Sequence, residues 1–91
     1  MRLVSALALA LSLASAHAAS PGPPGAAGCS GCHPAARGEF PRLGGRSAPD
    51  IVAAMKAFRA GGRPATVMDR IAKGFSDDEV AAIAAWYAAQ K

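Results

Sequence analysis

The sequence predicts a small all-α domain built of short helices joined by loops. Three observations lead to this fold class. The chain has 91 residues, which is one domain at most. Two segments place apolar residues at helical spacing, and no segment shows the apolar and polar alternation of a strand. Both helical segments begin at a serine that is followed three residues later by an acidic residue, a pattern typical of helix N-termini.

The first of these segments predicts a helix from near Ala48 to the glycine pair at Gly61. Ser47 is a suitable N-cap with Asp50 three residues further on, and Pro49 falls in the first turn, where its missing N–H is harmless. Four apolar residues then recur at i, i+3, i+4 and i+7, namely Ile51, Ala54, Met55 and Phe58. This spacing predicts a buried face.

The second segment predicts a final helix that runs from the capping box of Ser76 and Glu79 to about Ala89. Its apolar side consists of Val80, Ile83, Ala84, Trp86 and Tyr87. Between the two helices we expect a loop over residues 63–68 and a short helical piece over residues 69–73, which ends at a glycine.

The N-terminal part of the chain has the pattern of an export signal. An almost unbroken apolar run, residues 3–13, is followed by small residues that form an A-x-A cleavage pattern. The run is shorter than the roughly 20 residues that span a bilayer. The sequence therefore predicts a secretory signal peptide over residues 1–18 and a periplasmic protein that does not span the membrane once the signal is removed. The rest of the chain is expected to divide into a Pro/Gly-rich leader over 19–28, with a very short first helix, and a domain over 29–91.

The composition indicates that this domain has too few large apolar side chains to fill its own interior. The chain has only three Phe, one Trp and one Tyr, and a domain of this size seldom gains enough stability from its apolar core alone. A disulfide, a metal or a large apolar cofactor is therefore expected. The net charge of +4 comes without a dense Lys/Arg cluster and does not indicate nucleic-acid binding.

The segment Cys29-Ser30-Gly31-Cys32-His33 is the C-x-x-C-H pattern of covalent haem attachment. Two thiols three positions apart lie on one side of a helical turn, where each can add to a haem vinyl group. The adjacent His33 is then directed at the iron from the same side and serves as its fifth ligand. The sequence therefore predicts one haem c, attached through Cys29 and Cys32.

Three other interpretations of the two cysteines compete with haem attachment. A catalytic dithiol needs a thioredoxin-like frame of strands and helices, and no strand pattern is present. A zinc site needs a fourth ligand, and His33 is the only histidine left after signal cleavage. A plain disulfide would leave the sparse core unexplained.

The sixth ligand of the iron determines what such a protein does. Met55 lies on the apolar stripe of the first long helix, where methionine usually fills the core. Met68 follows Pro64 in the predicted loop, from which its sulfur can reach the iron from the side opposite His33. The sequence predicts Met68, with Met55 or a lysine as alternatives. A soft thioether raises the reduction potential, and two protein ligands leave no position open for oxygen or peroxide.

Four motifs of the chain resemble the class I bacterial cytochromes c, and among them the cytochrome subunits of flavocytochrome c sulfide dehydrogenases. The resemblance covers residues 29–88 and is most specific in the stretch from Arg63 to Glu79. Its motifs are Cys29-x-x-Cys32-His33, Phe40-Pro41-x-Leu43-x-Gly45, Phe58-Arg59-x-Gly61-x-Arg63-Pro64-Ala65-Thr66-x-Met68 and Arg70-Ile71-Ala72-Lys73-Gly74-x-Ser76-Asp77-x-Glu79. The chain departs from the family in having Pro34, where a glycine is usual, and in its short segment before the motif.

The resemblance implies a small class I cytochrome c fold wrapped around the haem, with Cys29 and Cys32 forming the thioethers, His33 proximal and Met68 distal. The carbonyl of Pro41 would accept the N–H of the His33 ring. The implied function is electron transfer rather than catalysis by the chain itself. Electrons would come from an FAD-containing flavoprotein that oxidises sulfide and would pass to a downstream acceptor.

Alternative functions are a free shuttle that donates electrons to a terminal oxidase and, at lower rank, a haem peroxidase or a ligand sensor. Five basic residues flank the proposed methionine loop and are candidates for a docking rim that meets an acidic partner, namely Lys56, Arg59, Arg63, Arg70 and Lys73. A merely solvated basic face is the equal alternative for these residues.

Overall fold

The structure is a computed structural model that describes residues 22–34 and 38–90. Its helices are α1 (Ala26–Cys29), α2 (Ala48–Ala60), α3 (Met68–Ala72) and α4 (Asp77–Ala88). These described ranges contain no strand, which confirms the all-α prediction. Neither range has a helix with the length and apolar character that crossing a bilayer requires. The predicted signal peptide and the first residues of the leader, 19–21, lie outside the described residues.

Helix α2 begins and ends where the sequence predicts. The hydroxyl of Ser47 accepts a hydrogen bond from the amide of Asp50 at 3.2 Å and so satisfies one of the free donors of the first turn. At the other end Gly61 adopts a φ of +76°, and its amide donates to the carbonyls of Ala57 and Phe58. A left-handed residue at this position suits glycine, which has no Cβ to clash.

Helix α4 starts with the predicted capping box. The amide of Glu79 donates to the Ser76 hydroxyl at 3.2 Å, and the Ser76 amide donates to the Glu79 carboxylate at 2.9 Å. Because these hydrogen bonds favour the ionised carboxylate, they hold the pKa of Glu79 below its ordinary value. The reciprocal bonds fix the first turn of the helix, and α4 ends at Ala88, one residue before the predicted end.

Helix α3 begins at Met68, one residue earlier than predicted. The carbonyl of Val67 accepts hydrogen bonds from the amides of Arg70 and Ile71, at 3.0 and 3.1 Å, and these bonds close the first turn around Met68. The methionine is therefore the first residue of a short helix and not the last residue of a loop, so that prediction is wrong. The backbone of Met68 is therefore more restricted at the start of a helix than it would be in a loop.

The segment before the C-x-x-C-H motif packs against α4. Ala26 is completely buried, and the hydroxyl of Tyr87 donates to its carbonyl at 2.6 Å. Gly22 lies so close to Trp86 that a Cβ at this glycine would come within 2.9 Å of the indole. The packed part of the chain therefore begins upstream of Cys29 and includes residues of the predicted leader.

The interior contains few large side chains. Helix α2 packs against α3 and α4, and the buried apolar residues are Ala26, Ile51, Ala72, Val80, Ile83, Ala84 and Tyr87. None of the large side chains in the described ranges is fully buried. Protein interiors are normally filled to the density of organic crystals. The described chain thus leaves space that its own side chains do not fill.

Candidate haem site

An apolar cavity of about 780 Å³ occupies that space. Residues of all four helices line it, together with residues of the loops that precede and follow α2. The predicted stripe of α2 faces it with all four members, namely Ile51, Ala54, Met55 and Phe58. Only Ile51 of these is buried by the protein itself. The stripe predicted to pack against the core is therefore largely the wall of a cavity.

The C-x-x-C-H motif forms one helical turn at this cavity. The amide of His33 donates to the carbonyl of Cys29 at 2.8 Å, and the amide of Cys32 donates to the same carbonyl at 3.2 Å. Cys29, Cys32 and His33 all line the cavity. Both cysteines are free thiols, with Cys29 half-buried and Cys32 exposed, and burial raises the pKa of the Cys29 thiol. Two unpaired thiols on one turn can each react with a group in the cavity.

The ring of His33 is oriented by its neighbours. Its Nδ1 lies 2.6 Å from the carbonyl oxygen of Pro41, and since a carbonyl only accepts, Nδ1 carries the proton. The other nitrogen, Nε2, is then left with its lone pair for a metal. The ring of Phe40 meets the imidazole edge-on at a centroid distance of 6.1 Å. The Pro41 contact that the family resemblance implied is present.

Two methionines line the cavity, and the structure gives them different surroundings. Met55 packs against the buried cluster formed by Ala26, Ile51, Ile83, Ala84 and Tyr87. Met68 lines the same cavity and is half-buried, but it does not belong to the residues that pack against this cluster. The Met68 thioether is therefore less involved in core packing than that of Met55. Its role as an iron ligand stays a prediction.

The residues around the cavity fit a haem. Three large apolar side chains are exposed, Phe40 to 44%, Val67 to 44% and Ile71 to 39%, and all three line this cavity. A bound apolar group of haem size would cover them and fill the interior. The volume lies in the range of about 300–1,000 Å³ that is typical of pockets for small molecules and cofactors.

The other interpretations of the cysteines find little support in the described part of the chain. It contains no strand and therefore no thioredoxin-like frame for a catalytic dithiol. Nor does it contain a group of three or more His, Cys, Asp or Glu residues that could hold a metal ion. The motif and its apolar cavity therefore fit a haem better than a dithiol frame or a zinc site.

Arg59, one of the five residues of the predicted docking rim, is engaged within the fold. Its Nη1 forms an ion pair of 2.6 Å with Asp77, and its Nη2 donates to the carbonyl of Phe75 at 3.0 Å. The bond from Arg59 holds the pKa of Asp77 below its ordinary value. These contacts join α2 to the start of α4, so Arg59 is not a free rim residue. Arg63 and Arg46 line the cavity, and Arg46 was not among the residues predicted from sequence.

An all-α chain that brings a C-x-x-C-H turn and a methionine to one apolar cavity has the features that define small haem-binding cytochromes. Comparison with known proteins narrows this class. No family model matches the chain. Two similar proteins are the thiosulfate dehydrogenase electron acceptor of Stutzerimonas stutzeri and cytochrome c-554(548) of Halomonas halodenitrificans.

The first relative is 43% identical over 67 residues, which cover 66% of this chain and 31% of the relative. The second is 40% identical over 55 residues, which cover 57% of this chain and 66% of the relative. The chain thus spans about a third of the length of one relative and about two thirds of the other. Together with the fold, these likenesses support a class I c-type cytochrome that contains haem c. They do not single out the cytochrome subunit of a sulfide dehydrogenase.

Proposed function

We propose that this chain is a periplasmic electron carrier with one haem c, attached covalently through Cys29 and Cys32 and ligated by His33 and Met68. By itself it catalyses no reaction. The observation that carries the proposal is the meeting of these four residues at one apolar cavity. The names of the two relatives, an electron acceptor and a cytochrome c, support the same activity.

Attachment requires only the two thiols and the two vinyl groups of the haem. Each cysteine would form a bond from its sulfur to one vinyl carbon while the thiol hydrogen goes to the other carbon, and such an addition needs no oxidant. The helical turn from Cys29 to His33 supports this step because it fixes both thiols beside the imidazole. Cys29 and Cys32 would thus hold the haem in the cavity that the apolar α2 stripe lines.

The axial residues prepare the iron site for electron transfer. When bound, the haem supplies a one-electron ferric/ferrous couple. His33 is held by Pro41 in the tautomer that presents Nε2, and this bond to Nδ1 also makes the imidazole a stronger donor. Met68 would supply a soft sulfur that favours the ferrous state. Ligation by both His33 and Met68 would leave no iron position for oxygen or peroxide, and this would disfavour a peroxidase or a sensor.

The electron donor in this proposal is an FAD-containing flavoprotein that oxidises sulfide. Its support is the specific resemblance in the stretch from Arg63 to Glu79. A thiosulfate dehydrogenase is the second candidate donor, because the relative in Stutzerimonas stutzeri is named the electron acceptor of such an enzyme. In either case a downstream acceptor, such as a terminal oxidase, must reoxidise the chain.

The proposed activity is tested on the full chain produced in a bacterium with c-type cytochrome maturation. We expect one haem that stays with the polypeptide on a denaturing gel and is lost from the Cys29→Ser/Cys32→Ser double variant. The ferric protein should bind cyanide slowly and show a reversible one-electron couple. Release of the haem on denaturation, or cyanide binding as fast as at an open iron, would refute the proposal.

The donor is tested by mixing the ferric protein with each candidate enzyme and its substrate. We expect the flavoprotein with sulfide to reduce the haem at least tenfold faster than the thiosulfate dehydrogenase with thiosulfate. The reverse order would assign the chain to the second donor. If neither enzyme reduces the haem faster than substrate alone, both donor assignments are wrong.

A further inference from the structure

Residues 61–76 connect the end of α2 to the start of α4, and Met68 lies near the middle of this stretch, which we call the methionine segment. Its side chains bury little surface against the rest of the protein. Among its residues, all of which lie in the described ranges, only Ala72 is buried. Few buried apolar groups make for low local stability. The methionine segment therefore depends on specific contacts to stay in place.

The methionine segment also has few polar links to its surroundings. The amides of Arg70 and Ile71 donate to the carbonyl of Val67, and the amide of Gly74 donates to the carbonyl of Ile71, so these bonds stay inside the segment. Within the described part of the chain, residues 64–74 form no hydrogen bond or ion pair with a residue outside the segment. Any polar link that holds the segment must therefore act at its ends.

Arg59 supplies such a link at the far end of the segment. It lies in the last turn of α2, where its Nη1 forms the 2.6 Å ion pair with Asp77 and its Nη2 donates to the carbonyl of Phe75 at 3.0 Å. These contacts cross 18 and 16 residues of the chain. The bond to Phe75 is partly buried, so water competes with it less than with the exposed ion pair.

The link at Phe75 is continuous with α3. The amide of Phe75 donates to the carbonyl of Ala72, the last residue of that helix, at 3.4 Å. Helix α3 packs against α2, so the segment opens by moving α3 away from α2. Because Phe75 follows α3 after two residues and is bonded to Arg59 on α2, this movement must strain or break the Arg59 contacts.

We propose that Arg59 is a positioning residue for Met68, and that it keeps the methionine segment closed so that the thioether stays at the iron. The inference rests on the proposed function, because it takes Met68 as the sixth ligand. Arg59 itself does not line the cavity and touches neither the ligand nor the haem site. It acts through Phe75 and α3, and its loss should uncover the sixth position for part of the time.

The test compares the ferric holoprotein with the variant Arg59→Gln and two matched controls. Arg42→Gln removes the same charge from an exposed position outside the cavity wall. Ser47→Ala removes the N-cap bond at the opposite end of α2, so it weakens the same helix without touching the methionine segment. The first control measures the effect of charge, and the second measures the effect of a general loss of stability.

Two measurements report on the segment. The second-order rate constant for cyanide binding rises with the fraction of molecules in which the sixth position is open. Hydrogen exchange at the amides of Arg70, Ile71 and Gly74 follows the opening of the segment without reference to the iron. Since the loss of a hydrogen bond to a charged group shifts an equilibrium by roughly tenfold or more, we expect Arg59→Gln to raise both quantities by about tenfold. Both controls should stay near wild type.

Arg59→Lys keeps the charge but lacks the planar fork that reaches two acceptors, so it should raise both quantities less than Arg59→Gln does. If Arg59→Gln yields no holoprotein, Arg59→Lys decides: an increase in both quantities supports the inference, and wild-type values overturn it. Wild-type hydrogen exchange in Arg59→Gln overturns it as well and leaves the electron-carrier function intact. So does an equal increase in Ser47→Ala, because a general loss of stability would then be sufficient. Faster exchange with unchanged cyanide binding would instead refute ligation by Met68, which belongs to the proposed function.

Discussion

Replacing Gly25 by alanine perturbs the contact between the segment before the haem motif and the start of α4. Gly25 has a φ of +90°, and a Cβ at this position would come within 2.6 Å of the ring of Phe75. The ring has limited room to move away, because Phe75 is partly buried and packs against the buried cluster of the interior. Both Gly25 and Phe75 line the haem cavity.

The cost of the substitution has two parts. A residue with a Cβ loses about 1–2 kcal/mol in the left-handed conformation, and forcing an extra methyl group against a packed ring typically costs about 1–3 kcal/mol. We therefore expect Gly25→Ala to lower the free energy of unfolding by about 2–5 kcal/mol. For a small domain this is a large part of the total stability.

The assay is equilibrium unfolding of the holoprotein in urea. With a slope of about 1 kcal/mol per molar urea, a loss of about 2 kcal/mol moves the midpoint down by about 2 M. Gly62→Ala is the control, because a Cβ there would meet nothing closer than 3.9 Å, and its backbone is not left-handed. A Gly25→Ala midpoint equal to that of Gly62→Ala would refute the assigned close contact.

Two further predictions concern bonds that connect distant parts of the chain. Tyr87→Phe removes the buried 2.6 Å hydrogen bond to the Ala26 carbonyl and should lower the free energy of unfolding by about 1–2 kcal/mol. An unchanged free energy of unfolding would contradict this bond. Asp77 has a folded-state pKa below its ordinary value of 3.8 because Arg59 donates to it. Its contribution to stability is present above that value and lost as pH falls through the folded-state pKa. Asp77→Asn should thus flatten the acid end of the stability profile measured between pH 5 and 2.5, whereas an unchanged slope would contradict the assigned pair.

The parts of the fold that sequence predicts well are those set by neighbouring residues. The caps at Ser47 and Ser76 and the stop at Gly61 depend on hydrogen bonds within one helical turn, so their spacing is visible in the sequence. The C-x-x-C-H turn is equally local. The start of α3 at Met68 was missed because Val67 has no capping side chain to signal a helix N-terminus.

The contacts that sequence did not predict join residues far apart in the chain. Tyr87 and Ala26 are 61 residues apart, and Arg59 and Asp77 are 18 apart. Their pairing depends on how the helices fold back on one another, which no local pattern encodes. For the same reason no local pattern marks Arg46, a single loop arginine that the fold brings to the cavity wall. Arg59 was likewise predicted to belong to the docking rim from its charge alone, because its pairing with Asp77 is not visible in the sequence.

The central claim is that His33 and Met68 are the two axial ligands of the iron in an electron carrier. The most direct measurement compares Met68→Leu with Met55→Leu. Both changes roughly conserve side-chain volume, and both residues line the cavity. We predict that Met68→Leu binds cyanide in the ferric state at least tenfold faster than the wild type. Its reduction potential should fall by about 120 mV or more, a hundredfold change at about 59 mV per tenfold for one electron. Met55→Leu should leave both quantities near wild type. The opposite pattern, or no change in either variant, would contradict the account.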